Sequence, residues 1–211
     1  VRCITDIKKL TEMSGDLIAL PVDELIKKIF DGERDFSYTR LIPGSDISTH
    51  PDFLALQDYL QKQFAHTPLE SDRLNFSYAE LRYARMRGVH MPYMQVYHAD
   101  LGNAVFDEAI LDRGRFLRTY AGGISLRDAR LTRTAFHYTA LDGADITGAM
   151  VTEADFSSAS IQGIKGLASV REIGAAYFSE GELPAALQEE YRAALLRLKR
   201  KKRGFFAPLT S

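Results

Sequence analysis

Five histidines (His50, His66, His90, His98 and His137) and the acidic pair Asp107-Glu108 are the residues best suited by type to acid–base or metal chemistry. None of them stands in a spacing that such chemistry uses. The sequence holds no phosphate loop, no Gly-rich dinucleotide fingerprint, no Gly-x-Ser-x-Gly elbow and no His-Glu-x-x-His. Cys3 is the only cysteine, which excludes an intramolecular disulfide and a cysteine-based zinc site and fits a reducing compartment. Catalytic, metal and cofactor roles are therefore all expected to be absent. The densest chemistry is electrostatic. Lys199, Arg200, Lys201, Lys202 and Arg203, followed by Gly204-Phe205-Phe206, could touch an anionic lipid surface or RNA. The same cations would also suit the C-terminus of a helix.

The bulk numbers set the frame for these groups. A chain of 211 residues with 45% apolar and 26% charged residues is long enough to bury a substantial core, and its formal charge of −1 gives no global attraction to nucleic acid. No stretch approaches 18 apolar residues and the opening residues lack a signal-peptide run, so a soluble, cytoplasmic chain is the expectation.

The element that must position any surface group is a repeat. Every fifth residue from Phe76 to Ile161 is apolar, eighteen in all, and two residues before each centre stands an uncharged residue, Ala or Gly in eleven cases. A period of five smears around a 3.6-residue helix, and two inward positions separated by one outward residue make a minimal strand followed by a corner. The chain must coil. A spacing of twenty groups like with like: Phe76, Val96, Phe116, Phe136 and Phe156 form one column, which predicts four faces per coil. Residues 74–163 then give a tube roughly 20 Å long at about 4.8 Å per layer. His98 and His137 fall two layers apart, about 10 Å, too far to share a zinc ion. Ala121-Gly122-Gly123 predicts a thin or bulged coil near mid-tube.

Ala99-Asp100-Leu101, Ala144-Asp145-Ile146 and Ala154-Asp155-Phe156 resemble the consensus of the pentapeptide repeat family. That resemblance implies a mainly β fold, a right-handed quadrilateral parallel β-helix. Thr119, Ile124, Thr134 and Thr139 depart from the consensus at the position before the centre.

Short α-helical caps are expected at both ends. Pro21 to Phe30 reads as an amphipathic helix stopped by Asp31-Gly32, and the chain from Pro184 to Lys202 carries helical apolar spacing. Residues 1–73 are assigned to an N-terminal helical cap, 74–166 to the β-helix, and 167–211 to a C-terminal helical cap and basic tail. Within the first region, residues 33–41 echo the repeat, with Phe36 forty residues before Phe76, two full coils on the same phase. Residues 42–73 read as an insertion, helical from Asp52 to Phe64.

Folding the sequence onto four faces brings Tyr78, Tyr97, His98, Leu117, Arg118, His137 and Tyr138 into one outward strip beside the phenylalanine column. Its aromatics, imidazoles and guanidinium suit a partner-binding surface, although tyrosines at corners also cover the backbone beneath them. The leading expectation is a non-catalytic protein-interaction scaffold for a protein partner, with a homodimer through the C-terminal helix as a further possibility. The resemblance also admits a DNA-mimicking, topoisomerase-protecting protein, but residues 72–161 hold eleven acidic residues against ten arginines, a poor imitation of phosphates. A membrane- or RNA-associated adaptor acting through the tail is the other alternative.

Overall fold

The computed structural model describes residues 17–173 and 176–178 and, beyond them, 183, 185, 188, 189, 191 and 192. The chain coils as a parallel β-helix. Its layers are joined by parallel bridges whose partners stand twenty residues apart through the repeat, in four columns: Asn75, Gln95, Arg115, Ala135 and Asp155; Glu80 to Ser160; Arg85 to Lys165; and His90 to Met150. Each bridging residue lies between two inward ones, so Leu74 and Phe76, or Ala99 and Leu101, are fully buried on either side. Only Gln95–Tyr97 and Arg115–Leu117 lengthen into strands within this region.

The corner after each centre is a tight turn. Ala79 N donates to Phe76 O at 3.2 Å and Ala144 N to Leu141 O at 3.0 Å, with the residue two beyond the centre at positive φ. All eighteen such positions from Tyr78 to Gly163 have φ above zero, and thirteen of them are not glycine. This conformation costs an ordinary L-residue about 1–2 kcal/mol, and it is held because the next layer's hydrogen bonds fix the chain on both sides. Gly143, with φ +70° and open space where a Cβ would stand, meets the requirement without that cost. The acidic residue before the centre helps to close the turn. Asp100 Oδ1 accepts from Gly102 N at 2.9 Å and Asp145 Oδ1 from Thr147 N at 3.0 Å, satisfying a turn donor.

The consensus departures are equally purposeful. Thr119, Thr134 and Thr139 are buried, and their hydroxyls donate to Val96 O, Leu111 O and Phe116 O at 2.8, 2.9 and 2.6 Å, each a carbonyl one layer back. The bulge expected at Ala121-Gly122-Gly123 is not present. Asp100, Tyr120 and Ala140 bridge in unbroken register, and the Tyr120 ring lies across Gly102 and Gly122, where any Cβ would collide with it. Glycine here accommodates a flat aromatic, not a bulge.

At the N-terminal end, α1 (Val22–Phe30) buries Leu25, Ile26 and Ile29, with Asp23 and Glu24 in its first turn and Lys27 and Lys28 in its last, as the helix dipole favours. It ends on Gly32, whose φ of +93° closes the turn through Glu33 N to Lys28 O, 2.9 Å. Strand β1 (Ile18–Leu20) pairs in parallel with β2 (Thr39–Leu41), which bridges on to Glu80.

Two expectations about this region need correction. The repeat does not begin at residue 74, because Asp35, Arg40 and Asp46 already bridge Asn75, Glu80 and Arg85. Phe36 is also one layer from Phe76, not two: the rings stack at 5.3 Å. The extra residues leave the coil after Asp46 as the 3₁₀ turn Ile47–Thr49 and α2 (Phe53–Gln63), whose Leu56 and Leu60 are fully buried. Gln57 Oε1 then accepts from His90 N at 2.6 Å, taking the place of the missing layer on the fourth column. His50 links the two helices, with Nε2 at 2.9 Å from Asp23 Oδ1 and Nδ1 accepting from Asp52 N.

The coil also runs past residue 166. Lys165, Arg171 and Tyr177 continue three columns, the last two at spacings of 21 and 22, and Phe178 stacks on Phe156 at 4.9 Å. Tyr191 packs edge-on against Phe178 and donates to Ala176 O. Cys3, the tail Lys199–Arg203 and most of the 184–202 stretch, with any dimer role, lie outside the described residues.

Candidate interaction face

The corner of the first column carries two outward rows. In one, Tyr38 stacks on Tyr78 at 4.9 Å and 2°, and Tyr78 on His98 at 5.3 Å and 7°. Further along the same row the Arg118 guanidinium lies over the Tyr138 ring at 5.9 Å. All of these residues occupy the positive-φ position of their pentads, which aims successive side chains outward in register. The adjoining row holds Ser77, Tyr97, Leu117, His137 and Ser157.

Between the rows is an open groove of about 490 Å³, lined by Tyr78, Tyr97, His98, Leu117, Arg118 and His137 together with Arg115 and Ala135. Six of the seven residues placed in the strip by sequence therefore meet in one depression. Tyr138, 59% exposed, stands beside it. Sequence reasoning missed Arg115 and Ala135, which are bridging residues of the same column, and Tyr38. The echo of Phe36-Ser37-Tyr38 in Phe76-Ser77-Tyr78 carried the signal for Tyr38, but a spacing of forty was assigned to two layers.

Polar contacts hold the groove's walls. His137 Nε2 is 3.3 Å from Asp155 Oδ2, Ser77 Oγ accepts from Tyr97 N, and Arg115 reaches Glu70 at 3.7 Å. Beyond this face, arginines and acids pair from layer to layer, as in Arg82–Asp100, Arg127–Asp145, Arg130–Asp112 and Arg133–Glu153. His90, on the fourth column, is pushed down in pKa by burial and by Arg130, so it is neutral near pH 7. Burial raises the pKa of Asp100 despite Gly102 N–H and Arg82. In Asp145, burial is outweighed by the hydrogen bonds from Thr147 and Arg127, and the pKa falls. Among the described residues no group of three or more His, Cys, Asp or Glu could hold a metal ion.

Residues 124–163 match the family model of pentapeptide repeats, in eight copies. No curated protein matches the chain. Among solved structures, a pentapeptide repeat protein from the Arabidopsis thaliana thylakoid lumen is 29% identical, with 39% of this chain and 57% of that one covered and a TM-score of 0.38. This chain thus spans little more than half of that protein's length. Rfr23, a pentapeptide repeat protein of the cyanobacterium Cyanothece 51142, is 15% identical over 77% of this chain and 86% of its own, TM-score 0.36. HetL, a pentapeptide repeat protein involved in heterocyst differentiation regulation in Nostoc sp. strain PCC 7120, is 15% identical over 78% of this chain and all of its own, TM-score 0.23. Eight of the eighteen pentads that run in one phase thus match the family model, and residues 124–163 carry pentapeptide repeats.

Proposed function

We propose that this protein is a non-catalytic interaction scaffold: a right-handed, four-sided β-helix, covered at its first end by α1 and at its second by Phe178 and Tyr191, that docks a protein partner on the face of the first column. The observation that carries this reading is the groove between the stacked Tyr78–His98 row and the row of Tyr97, Leu117 and His137. Side chains locked by stacking lose little further freedom on binding, which favours affinity from a small contact area. The layer-to-layer ion pairs elsewhere alternate in sign, which supports a protein partner over imitation of duplex phosphates.

The test is affinity capture from the native host with the wild-type chain and with a variant carrying Tyr97→Ala, Arg118→Ala and Tyr138→Ala. All three residues lie outside the core, so the variant should fold. Specific loss of captured proteins is the expected result, and an unchanged capture profile sinks the reading.

A further inference from the structure

We infer that the segment docked on this face is an extended acidic peptide lying along the coil axis, with carboxylates on Arg115 and Arg118 and an apolar side chain on Leu117. This rests on the reading of the face as a docking surface. The charge map carries it. From Ser77-Tyr78 to Ser157-Ser158 the two outward rows of the first column hold no carboxylate, whereas the corresponding rows of the other columns hold Asp107, Glu108, Asp112, Asp128, Asp142 and Glu153. A chain of net charge −1 therefore keeps both outward rows free of carboxylates on the corner that also has a groove, with Asp155 beside His137 and Glu70 beside Arg115 at its margins.

The guanidiniums there are poorly supplied with partners. Arg118 is exposed, lies over Tyr138, and pairs with no carboxylate among the described residues. Arg115, among those residues, has only Glu70 at 3.7 Å, a carboxylate 72% exposed and shared with Arg73 at the same distance. Leu117, half-buried between them, offers the apolar contact. An extended chain rises about 3.3 Å per residue, so the roughly 10 Å from the layer of His98 to that of His137 takes about three residues.

The same geometry disfavours single-stranded nucleic acid, which needs free aromatic faces for bases to stack on. Both faces of Tyr78 are covered, by Tyr38 and His98, and Arg118 covers one face of Tyr138. What the rings present outward is their edges, hydroxyls and imidazole N–H groups, which suit carboxylate and backbone acceptors.

Fluorescence anisotropy on the full chain tests this with a labelled heptapeptide alternating Glu and Leu, its Gln–Leu and Lys–Leu counterparts, and a labelled single-stranded RNA. The Glu–Leu peptide should bind at least about tenfold more tightly than the other probes, and Arg118→Glu should weaken it by about tenfold or more, the scale of one charge-assisted contact. Arg87→Ala, on another column, should leave its Kd unchanged. Equal binding of the Gln–Leu peptide, RNA binding without Glu–Leu binding, no binding of the Glu–Leu peptide, or indifference to Arg118→Glu each overturns the inference. Any of these together with lost capture by the triple variant condemns the acidic chemistry alone, whereas unchanged capture condemns the docking face itself.

Discussion

Phe36 stacks on Phe76 at 5.3 Å although forty residues, twice the coil's period, separate them. The column continues through Val96, Phe116, Phe136, Phe156 and Phe178, with ring spacings of 4.9–5.1 Å among its last four members. This apolar shaft holds the face in place: each outward side chain at the corner is anchored by the buried apolar side chain one or two residues before it.

Emptying one layer of the shaft should be costly. Phe136→Ala is expected to lower stability by about 3–5 kcal/mol, through lost transfer energy and the cavity left between Phe116 and Phe156. Arg133→Ala, which removes an exposed partner of Glu153, should leave the urea midpoint close to that of the wild type. Equal losses for the two would contradict a shaft-dominated stability.

The excursion through α2 completes the fourth column with one side chain. Gln57→Ala should remove the acceptor of His90 N–H and cost about 1 kcal/mol, with the loss read most directly as faster amide exchange at His90. Protection at His90 that survives the substitution would show that Gln57 does not complete the fourth column.

Thr139→Val keeps the shape of a buried side chain but deletes the donor to Phe116 O. The expected loss is about 1–2 kcal/mol in chemical denaturation, since the carbonyl has no water to turn to. A neutral effect would mean that threonine at this position is only filling space.

Asp100 and Asp145 close their turns in the same way, yet their charges should act oppositely on stability. The folded pKa of Asp145 is lowered from 3.8, so its contribution is present above that value and lost as pH falls through the folded pKa. The folded pKa of Asp100 is raised, so its contribution is present below 3.8 and lost as pH rises through the folded pKa. Relative to wild type, Asp145→Asn should lose ground and Asp100→Asn gain it as pH is raised from 3 to 7. Urea midpoints across that range check this, and parallel trends for the two variants would refute it.

The sequence by itself determined the coil. A five-residue period with apolar centres and small neighbours admits only a chain that turns after every short strand, and the twenty-residue recurrence of phenylalanine set the layer length, because buried side chains must fit those above and below them. The two N-terminal helices were legible for the same local reason: Leu25, Ile26 and Ile29, and Leu56 and Leu60, fall on single helical faces. The strip from Tyr78 to Tyr138 followed by arithmetic from that period. Only the tertiary structure decided where the chain leaves the ladder and where it returns. Residues between Asp46 and Asn75 close one layer with a helix and a glutamine amide, and single extra residues shift the last bridges to Arg171 and Tyr177. Spacing cannot reveal this, because a loop's length does not fix which open backbone edge receives its far end. That choice rests on hydrogen bonds between layers, and it brought Tyr38 onto the Tyr78–His98 stack and placed Phe178 at the foot of the shaft.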